Sequence, residues 1–379
     1  MALNLNLTEI EEMVKDTALK FLRRDVSNET IQALLETETG YTAEIWQKAI
    51  SMGWLGIIIP EEYGGTGGSL TSAGVLFEAL GTGPLPGPYF SSGILASFII
   101  LEACTEDQKT HLLANIAAGT QVLTLAFTEP TYSWEPASVM TTAIPLGDDY
   151  VLNGVKLFTM DGGAATHFVV VARTGNSPGS EKGLSLFLVD KQAPGISVRR
   201  VPGFLSGMSF EVKLSEVRVP QSSILGKVNE GWPALNAAMD KSIPVLCAYK
   251  VGGCQALMEM AVEYSRVRVQ FGQPIGRFQR VQDLIIEMLN HLEAARWITY
   301  EVLWKIDSQR PYAEGVHLAK ALSSQAYWDT CTLAHQVFSG ISYSAEHAVS
   351  FHTRTSRSLY NFLGEPAYHR QKLAKLLTR

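Results

Sequence analysis

The stretch with the most chemically suggestive residues is 266–288, which has the sequence RVRVQFGQPIGRFQRVQDLIIEM. The guanidinium of Arg268 can present two parallel donors to a phosphate group. Phe271 offers an apolar face to a base such as adenine. The same residues are also compatible with a solvated helix end, so the stretch alone leaves phosphate binding and a plain turn open.

Two further segments combine polar and aromatic side chains at the ends of predicted strands. Thr128-Glu129-Pro130 follows an apolar, β-branched run, and Lys156-Leu157-Phe158-Thr159 comes about thirty residues later. Turn signals at residues 146–149 and at Asn153-Gly154 divide the intervening sequence into strands. Phe158 by itself is equally compatible with a core aromatic residue on a strand.

The composition describes a globular protein that does not bind nucleic acid. Hydrophobic residues make up 46% and charged residues 18% of 379 residues, and the net charge of −6 has no basic stripe to offset it. The four cysteines form no CxxC or zinc spacing, so no metal is expected and the thiols should be reduced. No secretory signal and no apolar run of about 18 residues is present, and we expect a cytoplasmic protein without a membrane segment.

The elements that must position these segments form three blocks, which predicts an α+β protein. Residues 1–120 have helical periodicity, and Thr8 with Glu11 forms a capping-box pattern. Residues 121–225 contain several short strands, typical of a sandwich or barrel. Residues 226–379 contain four long amphipathic patterns, at 231–268, 278–307, 313–339 and 344–376, which predict a four-helix bundle.

Taken in order, these motifs resemble the acyl-CoA dehydrogenase family over nearly the whole chain. The segments Thr128-Glu129-Pro130 and 156–159 are similar to the TEP and K-x-W/F-[IV]-[TS] elements of the family's middle domain. PEEYGGTG at 60–67 is similar to the N-terminal signature, and 266–288 matches R-x-x-F-G-x-x-I-x-x-F-Q-x-x-Q. The resemblance implies an N-terminal helical domain, a middle β domain and a C-terminal four-helix bundle.

The same resemblance implies FAD as the cofactor and assigns its contacts. Thr128 would donate to the flavin pyrimidine edge beside Phe127, Phe158 would lie against the ring, and Thr159 would donate near N5. A neighbouring subunit would supply its own contacts through a second motif, QVFSGISY at 336–343. The residues expected to contact the neighbouring subunit's flavin are Arg268, Phe271, Gln279, Gln336 and Gly340.

The family reaction is the α,β-dehydrogenation of an acyl-CoA thioester, with a carboxylate as base and an electron-transfer flavoprotein as the electron acceptor. The family motif Y-x-x-Y-E-G-T-x-x-x-x-R aligns with Gly364 at the base position and Glu365 one step later. Glu365 is therefore the candidate catalytic residue. A second family location for the base aligns with Ser242, and Trp134 replaces a serine that contacts the CoA arm.

Residues 341–370 resemble a branch of the family found in bacterial degradation of steroids and other bulky acyl-CoAs. Many members of that branch are one half of a two-subunit enzyme. We therefore expect a homo- or hetero-oligomer, a dimer or a tetramer. The leading hypothesis is an FAD-dependent acyl-CoA dehydrogenase, and the alternative is a non-catalytic partner subunit that supplies flavin-site and interface residues.

Overall fold

The computed structural model describes residues 6–175, 178–202 and 208–378. Its elements follow the predicted order of a helical block, a sheet and a second helical block, so the α+β fold class is confirmed. The boundaries predicted at 120 and 225 fall in the connections that follow the sixth helix and the eighth strand. None of the described helices combines the length and apolar character needed to span a bilayer.

The N-terminal block opens with the predicted capping box. The hydroxyl of Thr8 accepts from the backbone of Glu11, and the Glu11 carboxylate accepts from the backbone of Thr8. A π-helical turn at Ser91–Ala96 leads into the fifth helix. The helices are α1 (Glu9–Asp25), α2 (Asn28–Glu36), α3 (Ala43–Ser51), α4 (Leu70–Gly81), α5 (Ser97–Ala103) and α6 (Glu106–Ala117).

The middle block is one twisted sheet in which the strands follow the order β6-β7-β3-β2-β4-β5-β8, with β1 parallel to β4. Long antiparallel pairing between β3 and β7 places the end of β3 beside the C-terminal helices. The strands are β1 (Leu123–Ala126), β2 (Thr142–Leu146), β3 (Asp149–Met160), β4 (His167–Arg173), β5 (Leu184–Asp190), β6 (Ile196–Arg200), β7 (Ser209–Pro220) and β8 (Ile224–Leu225).

One of the two predicted turns is confirmed and the other is wrong. Residues 147–148 form the turn between β2 and β3, and Gly147 has a φ of 64°. Asn153 and Gly154 instead lie inside β3, where the pairing with β7 shifts register between Leu152 and Gly154. A Cβ at Gly154 would lie 2.3 Å from the Thr141 hydroxyl oxygen. The glycine therefore permits close packing within the sheet rather than a chain reversal.

The C-terminal block contains the four predicted helical patterns, but the last is divided in two. Gly364 has a φ of 98°, and Pro366 begins a new helix at its first position, so residues 362–365 form a short connection. The elements are α7 (Gly231–Val267), the hairpin strands β9 (Val269–Gln270) and β10 (Gln273–Pro274), α8 (Gln279–Asp307), α9 (Ala313–Phe338), α10 (Ala348–Asn361) and α11 (Pro366–Leu377).

The three blocks share buried apolar residues, which fixes the sheet against the helices on either side. One cluster joins Ile99 of α5, Leu123 of β1, Leu186 of β5, Leu246 of α7 and Phe362 after α10, and all five are buried. Continuous burial of this kind removes apolar surface from water across every block boundary. Met160, at the end of β3, packs against the same cluster.

Candidate active site

Two cavities meet where β3 ends against α10. The larger, which we call the Phe158 cavity, has a volume of about 560 Å³ and is bordered by residues 130–134, the end of β3 and the end of α10. The smaller, the Asp161 cavity, has a volume of about 100 Å³ and lies between α4, α7 and α10. Met160, Ser358 and Phe362 line both cavities, so the two cavities share part of their walls.

A buried ion pair holds the Thr128-Glu129-Pro130 segment beside the larger cavity. The Lys156 ammonium contacts Oε1 of Glu129 at 2.8 Å and also donates to the Phe127 carbonyl at 3.1 Å. The Glu129 carboxylate accepts two further hydrogen bonds from Thr141 and one from the backbone of Met140. Burial opposes the charge of Glu129, but Lys156 and Thr141 outweigh it and keep its pKa below the ordinary value. Glu129 is therefore ionised, and its ion pair with Lys156 fixes the position of the Thr128-Glu129-Pro130 segment.

Phe158 is the residue at this cavity whose conformation most needs an explanation. It has a φ of 56°, and the register of β3 against β7 shifts between Lys156 and Thr159. Left-handed backbone is costly for a bulky side chain, and a bulge of this kind commonly re-aims a residue. The Phe158 ring is 41% exposed and meets Tyr132 edge-on, with 5.4 Å between ring centroids.

The bulge also decides which of the next two residues reaches the cavities. Met160 lines both, whereas Thr159 lines neither and is buried. The structure therefore does not bring Thr159 to the cavity wall beside Phe158 and places Met160 there instead. Thr159 Oγ1 is buried without a hydrogen-bond partner in the described part of the chain.

The structure places Phe127 and Thr128 behind the surface of the cavity. Phe127 is stacked under Trp134, with 5.4 Å between centroids and 9° between ring planes, and Trp232 covers it at 5.8 Å. The Thr128 hydroxyl donates to the Leu157 carbonyl. The cavity wall at this point is thus formed by Trp134, which occupies the position that the sequence comparison assigned to a serine.

The Phe158 cavity suits a flat, partly polar heterocycle. The Phe158 ring projects from the sheet into this cavity of about 560 Å³, and the Tyr132 ring lies perpendicular to it. Trp134 lines the same space, and its indole lies close enough to the Tyr132 hydroxyl to oppose the rise that burial produces in the pKa of that phenol. The residues present fit the flavin of FAD.

The predicted phosphate and adenine contacts lie elsewhere, on the surface of the C-terminal block. Arg268 and Gln279 flank the β9–β10 hairpin and are exposed, and Phe271 at its tip is 92% exposed with a φ of 52°. Gln336 and Gly340 are also exposed, at the end of α9. The two groups adjoin through a stack of Tyr264 on Phe338, at 4.4 Å. None of the five predicted residues lines either cavity.

Two polar side chains, Lys320 and His369, support the connection between α10 and α11. Lys320 donates to the Gly364 carbonyl at 2.7 Å, and His369 lies with Nε2 2.8 Å from the Leu363 carbonyl oxygen. Gly364 cannot be replaced without strain, because a Cβ would lie 2.6 Å from His369 and the φ is positive. Glu365 is half-buried, precedes the first turn of α11 and lines neither cavity.

Other carboxylates near this region are engaged elsewhere. Glu135 pairs with Lys372 at 2.9 Å, and Asp240 accepts from Asn236. Among the described residues that line either cavity, Asp161 is the one that carries a carboxyl group. The sequence analysis did not identify Asp161, although the sequence shows this acidic residue directly after an apolar strand.

Three family models match the chain in succession. They are the N-terminal domain of acyl-CoA dehydrogenase at residues 8–120, its middle domain at 124–216 and its C-terminal domain at 229–378. These matched ranges correspond to the helical block, the sheet and the second helical block.

Individual relatives agree with these matches. Cyclohexane-1-carbonyl-CoA dehydrogenase of Geobacter metallireducens is 30% identical over 74% of each chain. A subunit of the caffeyl-CoA reductase–Etf complex of Acetobacterium woodii is 27% identical over 98% of this chain and 99% of its own. The structure of butyryl-CoA dehydrogenase from Megasphaera elsdenii superposes with a TM-score of 0.91 at 26% identity, covering 100% of both chains.

Proposed function

The chain belongs to the acyl-CoA dehydrogenase family and is an FAD-dependent enzyme that oxidises acyl-CoA, and we propose that the flavin ring lies in the Phe158 cavity. The observation that carries this proposal is the conformation of Phe158, whose ring projects into that cavity from a left-handed bulge. The acyl chain then extends past Met160 toward the Asp161 cavity. FAD supplies the acceptor for the hydrogen that leaves the β-carbon.

Replacing Phe158 with alanine tests this placement. We expect Phe158→Ala to retain FAD at least tenfold more weakly, because the aromatic face and its contact with Tyr132 are both lost. Leu146→Ala is the matched control, since Leu146 is an exposed apolar residue of the same sheet. Flavin absorbance and the dissociation constant for FAD are the measurements. Equal FAD retention by both variants would contradict the proposed placement.

The position of the base in the family motif is apolar in this chain. Gly364 needs a positive φ and the absence of a Cβ, so we infer that it corresponds to the glycine of Y-E-G-T-x-x-x-x-R rather than to the glutamate. Arg370 then matches the arginine, and Leu363 takes the position of the glutamate. Neither Gly364 nor Leu363 can accept a proton.

Glu365 is our first candidate for the carboxylate that removes the α-proton. Burial raises the pKa of Tyr132 to about 12, a hydrogen bond with Trp134 opposes this rise, and the charge of Glu365 adds a smaller increase, which supports a position of Glu365 close to the Phe158 cavity. In Glu365→Gln we expect bleaching of the flavin by an acyl-CoA to slow by at least a hundredfold. Glu135→Gln should bleach like the wild type. Undiminished bleaching by Glu365→Gln would remove Glu365 from consideration.

A second candidate function is that of a partner subunit whose companion chain supplies the base. Leu363 at the motif position favours it, as does the lack of a carboxylate among the described residues that line the Phe158 cavity. Mixing the chain with a homologue that carries Y-E-G distinguishes the two functions. If only the mixture bleaches the flavin, this chain is the partner subunit.

The chain acts within an oligomer, and we propose that Arg268, Phe271, Gln279, Gln336 and Gly340 contact the FAD bound by a neighbouring subunit. Their exposure in one protomer supports this role.

We propose an electron-transfer flavoprotein as the electron acceptor, since the Acetobacterium relative is a subunit of an Etf complex. Four buried cysteines without disulfide partners support the proposal of a cytoplasmic location.

The contacts to the neighbouring subunit's FAD can be tested at Arg268. Arg268→Ala should weaken FAD retention, and it should also weaken self-association measured by light scattering.

A further inference from the structure

The Asp161 cavity is an apolar space with a small number of polar groups in its wall. Phe77, Leu80, Leu85, Met208 and Leu246 supply much of the lining. The polar side chains in the wall are Asp161, Tyr89, Tyr249, Thr355 and Ser358. A site of this composition binds a mainly apolar group and fixes its orientation through a few polar contacts.

The carboxyl group of Asp161 is only partly satisfied by the protein. It is 3% exposed, and its Oδ2 accepts a hydrogen bond from Ser91 Oγ at 2.6 Å. Its other oxygen has no hydrogen bond, and its charge no ion pair, within residues 6–175, 178–202 and 208–378. Burial raises the pKa of Asp161 to about 7, against a smaller opposing effect of Ser91. Within the described chain this carboxyl group therefore keeps an unpaired acceptor oxygen, and the residue lines the cavity.

Tyr89 supplies the complementary donor. Its ring is held between Trp46 and Trp54, with centroid distances of 5.7 and 6.1 Å, and it is 4% exposed. Its hydroxyl is buried and finds no partner in the described chain. Tyr89 and Asp161 line the same cavity. An unmet donor and an unmet acceptor thus share one small cavity, which is costly unless a ligand completes both.

We propose that the Asp161 cavity recognises a hydroxyl group at the far end of a short acyl chain, which donates to Asp161 and accepts from Tyr89. This inference rests on the proposed function, because it requires the acyl-CoA to enter through the Phe158 cavity. A methyl group at the same point leaves both protein groups unpaired. An amine cannot accept from Tyr89 while it is protonated, and a carboxylate is repelled by ionised Asp161.

The volume of the cavity limits the length of the chain. A cavity of about 100 Å³ holds several non-hydrogen atoms, since a single water needs roughly 10–15 Å³ of such space. The thioester carbon and the two carbons that change in the reaction lie beside Phe158. The carbons beyond them and the terminal hydroxyl oxygen then lie in the Asp161 cavity. The preferred substrate class is therefore a short ω-hydroxyacyl-CoA, for which the five-carbon compound serves as the probe.

The test compares 5-hydroxypentanoyl-CoA with pentanoyl-CoA on the FAD-loaded protein. For the wild type we expect kcat/KM, measured with an artificial electron acceptor, to favour the hydroxylated substrate by at least tenfold. Tyr89→Phe should bring this ratio close to one, because the donor to the substrate hydroxyl is lost. Tyr150→Phe, a tyrosine of β3 that does not line the cavity, should keep the wild-type ratio.

A binding measurement separates this inference from the proposed function. Calorimetric titration with the two corresponding 2-enoyl-CoA products requires no turnover, and the wild type should bind the hydroxylated product at least tenfold more tightly. If no acyl-CoA is oxidised but this binding ratio holds, the proposed function fails and the recognition of a hydroxyl stands. If acyl-CoAs are oxidised without any preference in rate or binding, the recognition of a hydroxyl is overturned.

Asp161→Asn provides a second variant that preserves shape and an acceptor oxygen. We expect it to fold, to retain FAD and to keep part of the preference for the hydroxylated ligand. If Asp161→Asn instead abolishes flavin bleaching by pentanoyl-CoA while FAD is retained, Asp161 is the acceptor of the α-proton, and its assignment to hydroxyl recognition is wrong.

Discussion

Two walls of the Phe158 cavity are each held by a buried lysine, but only one of these lysines has a carboxylate partner. On the sheet side, Lys156 contacts Glu129 at 2.8 Å. On the helical side, the oxygens that Lys320 reaches in the described chain are all neutral: the Gly364 carbonyl at 2.7 Å, the Ser324 hydroxyl at 3.1 Å and the Tyr360 carbonyl at 3.3 Å. The charge of the lysine is thus compensated in the sheet-side wall, while in the wall next to the connection at 362–365 it is not.

The presence or absence of a carboxylate partner affects the pKa of each lysine. Burial lowers the pKa of Lys156 to about 8, and Glu129 prevents a further fall, so the ammonium persists at neutral pH. Burial and then the charge of Lys250 lower the pKa of Lys320 well below its ordinary value. Lys250 itself shares the Ser324 hydroxyl, at 2.7 Å. Similar positions in the wall therefore do not imply similar charge states.

The largest expected effect comes from breaking the compensated pair. Lys156→Met leaves the Glu129 carboxylate buried without its cation, and we expect the free energy of unfolding to fall by about 3–5 kcal/mol. Denaturant unfolding measures the change. The control is Lys213→Met, on the exposed face of β7, which should change stability by less than about 0.5 kcal/mol. Adding Glu129→Gln to Lys156→Met should restore part of the loss. If it does not, charge compensation is not what stabilises this wall.

Removing one lysine from the uncompensated region should have the opposite sign. The pKa of Lys250 is about 8 in the folded chain and 10.5 ordinarily, so between these values the unfolded chain binds more protons and stability rises with pH. Below pH 8 the full penalty applies. We expect Lys250→Met to be more stable than the wild type at pH 7 by on the order of 2 kcal/mol. The difference should shrink toward pH 10.5 in unfolding measured across that range, and a constant difference would contradict it.

Lys320→Met sharpens the comparison with Lys156→Met. The change removes hydrogen bonds to the Tyr360 and Gly364 carbonyls but leaves no orphaned charge. We therefore expect a loss of only about 1–2 kcal/mol in the free energy of unfolding. A loss as large as that of Lys156→Met would show that Lys320 is charged in the folded chain. Flavin bleaching should slow in this variant, because the 362–365 connection loses a support.

The smallest effect concerns the contact that joins the two walls. Tyr132 donates to the Asn361 carbonyl at 3.0 Å and also meets Phe158 edge-on. Tyr132→Phe retains the ring contact and removes one hydrogen bond, so we expect a loss of about 0.5–1.5 kcal/mol. FAD retention should stay within about twofold of the wild type. A tenfold loss would show that the hydroxyl itself orders the flavin site.

Much of the fold was predictable because local patterns determine it. The Thr8 capping box and the helical periodicities of α7, α8 and α9 depend on residues that are close in sequence. The Asn153-Gly154 turn was wrong because the glycine there serves packing against Thr141 across the sheet. That contact is tertiary and leaves no local signal.

The site was predicted in outline and corrected in detail. Phe158 was identified, but the bulge that turns it outward also moves Thr159 off the cavity wall and Met160 onto it, since strand alternation assumes a regular register. Asp161 and the two lysines of the C-terminal core were missed because charged residues are exposed by default. Their burial involves contacts with residues about 40 to 75 positions away, such as Ser91, Ser324 and Gly364.

The π-helical turn at Ser91–Ala96 bears on how the substrate preference of this chain can evolve. A π-turn holds one residue more than an α-turn, and Ser91 within it donates to Asp161. Deleting a single residue there restores ordinary α-helical winding and turns the preceding backbone by about 100°, which takes the serine away from the carboxyl group. One codon lost or gained in this turn is therefore a mutational route between a pocket with a buried hydroxyl partner and a purely apolar one.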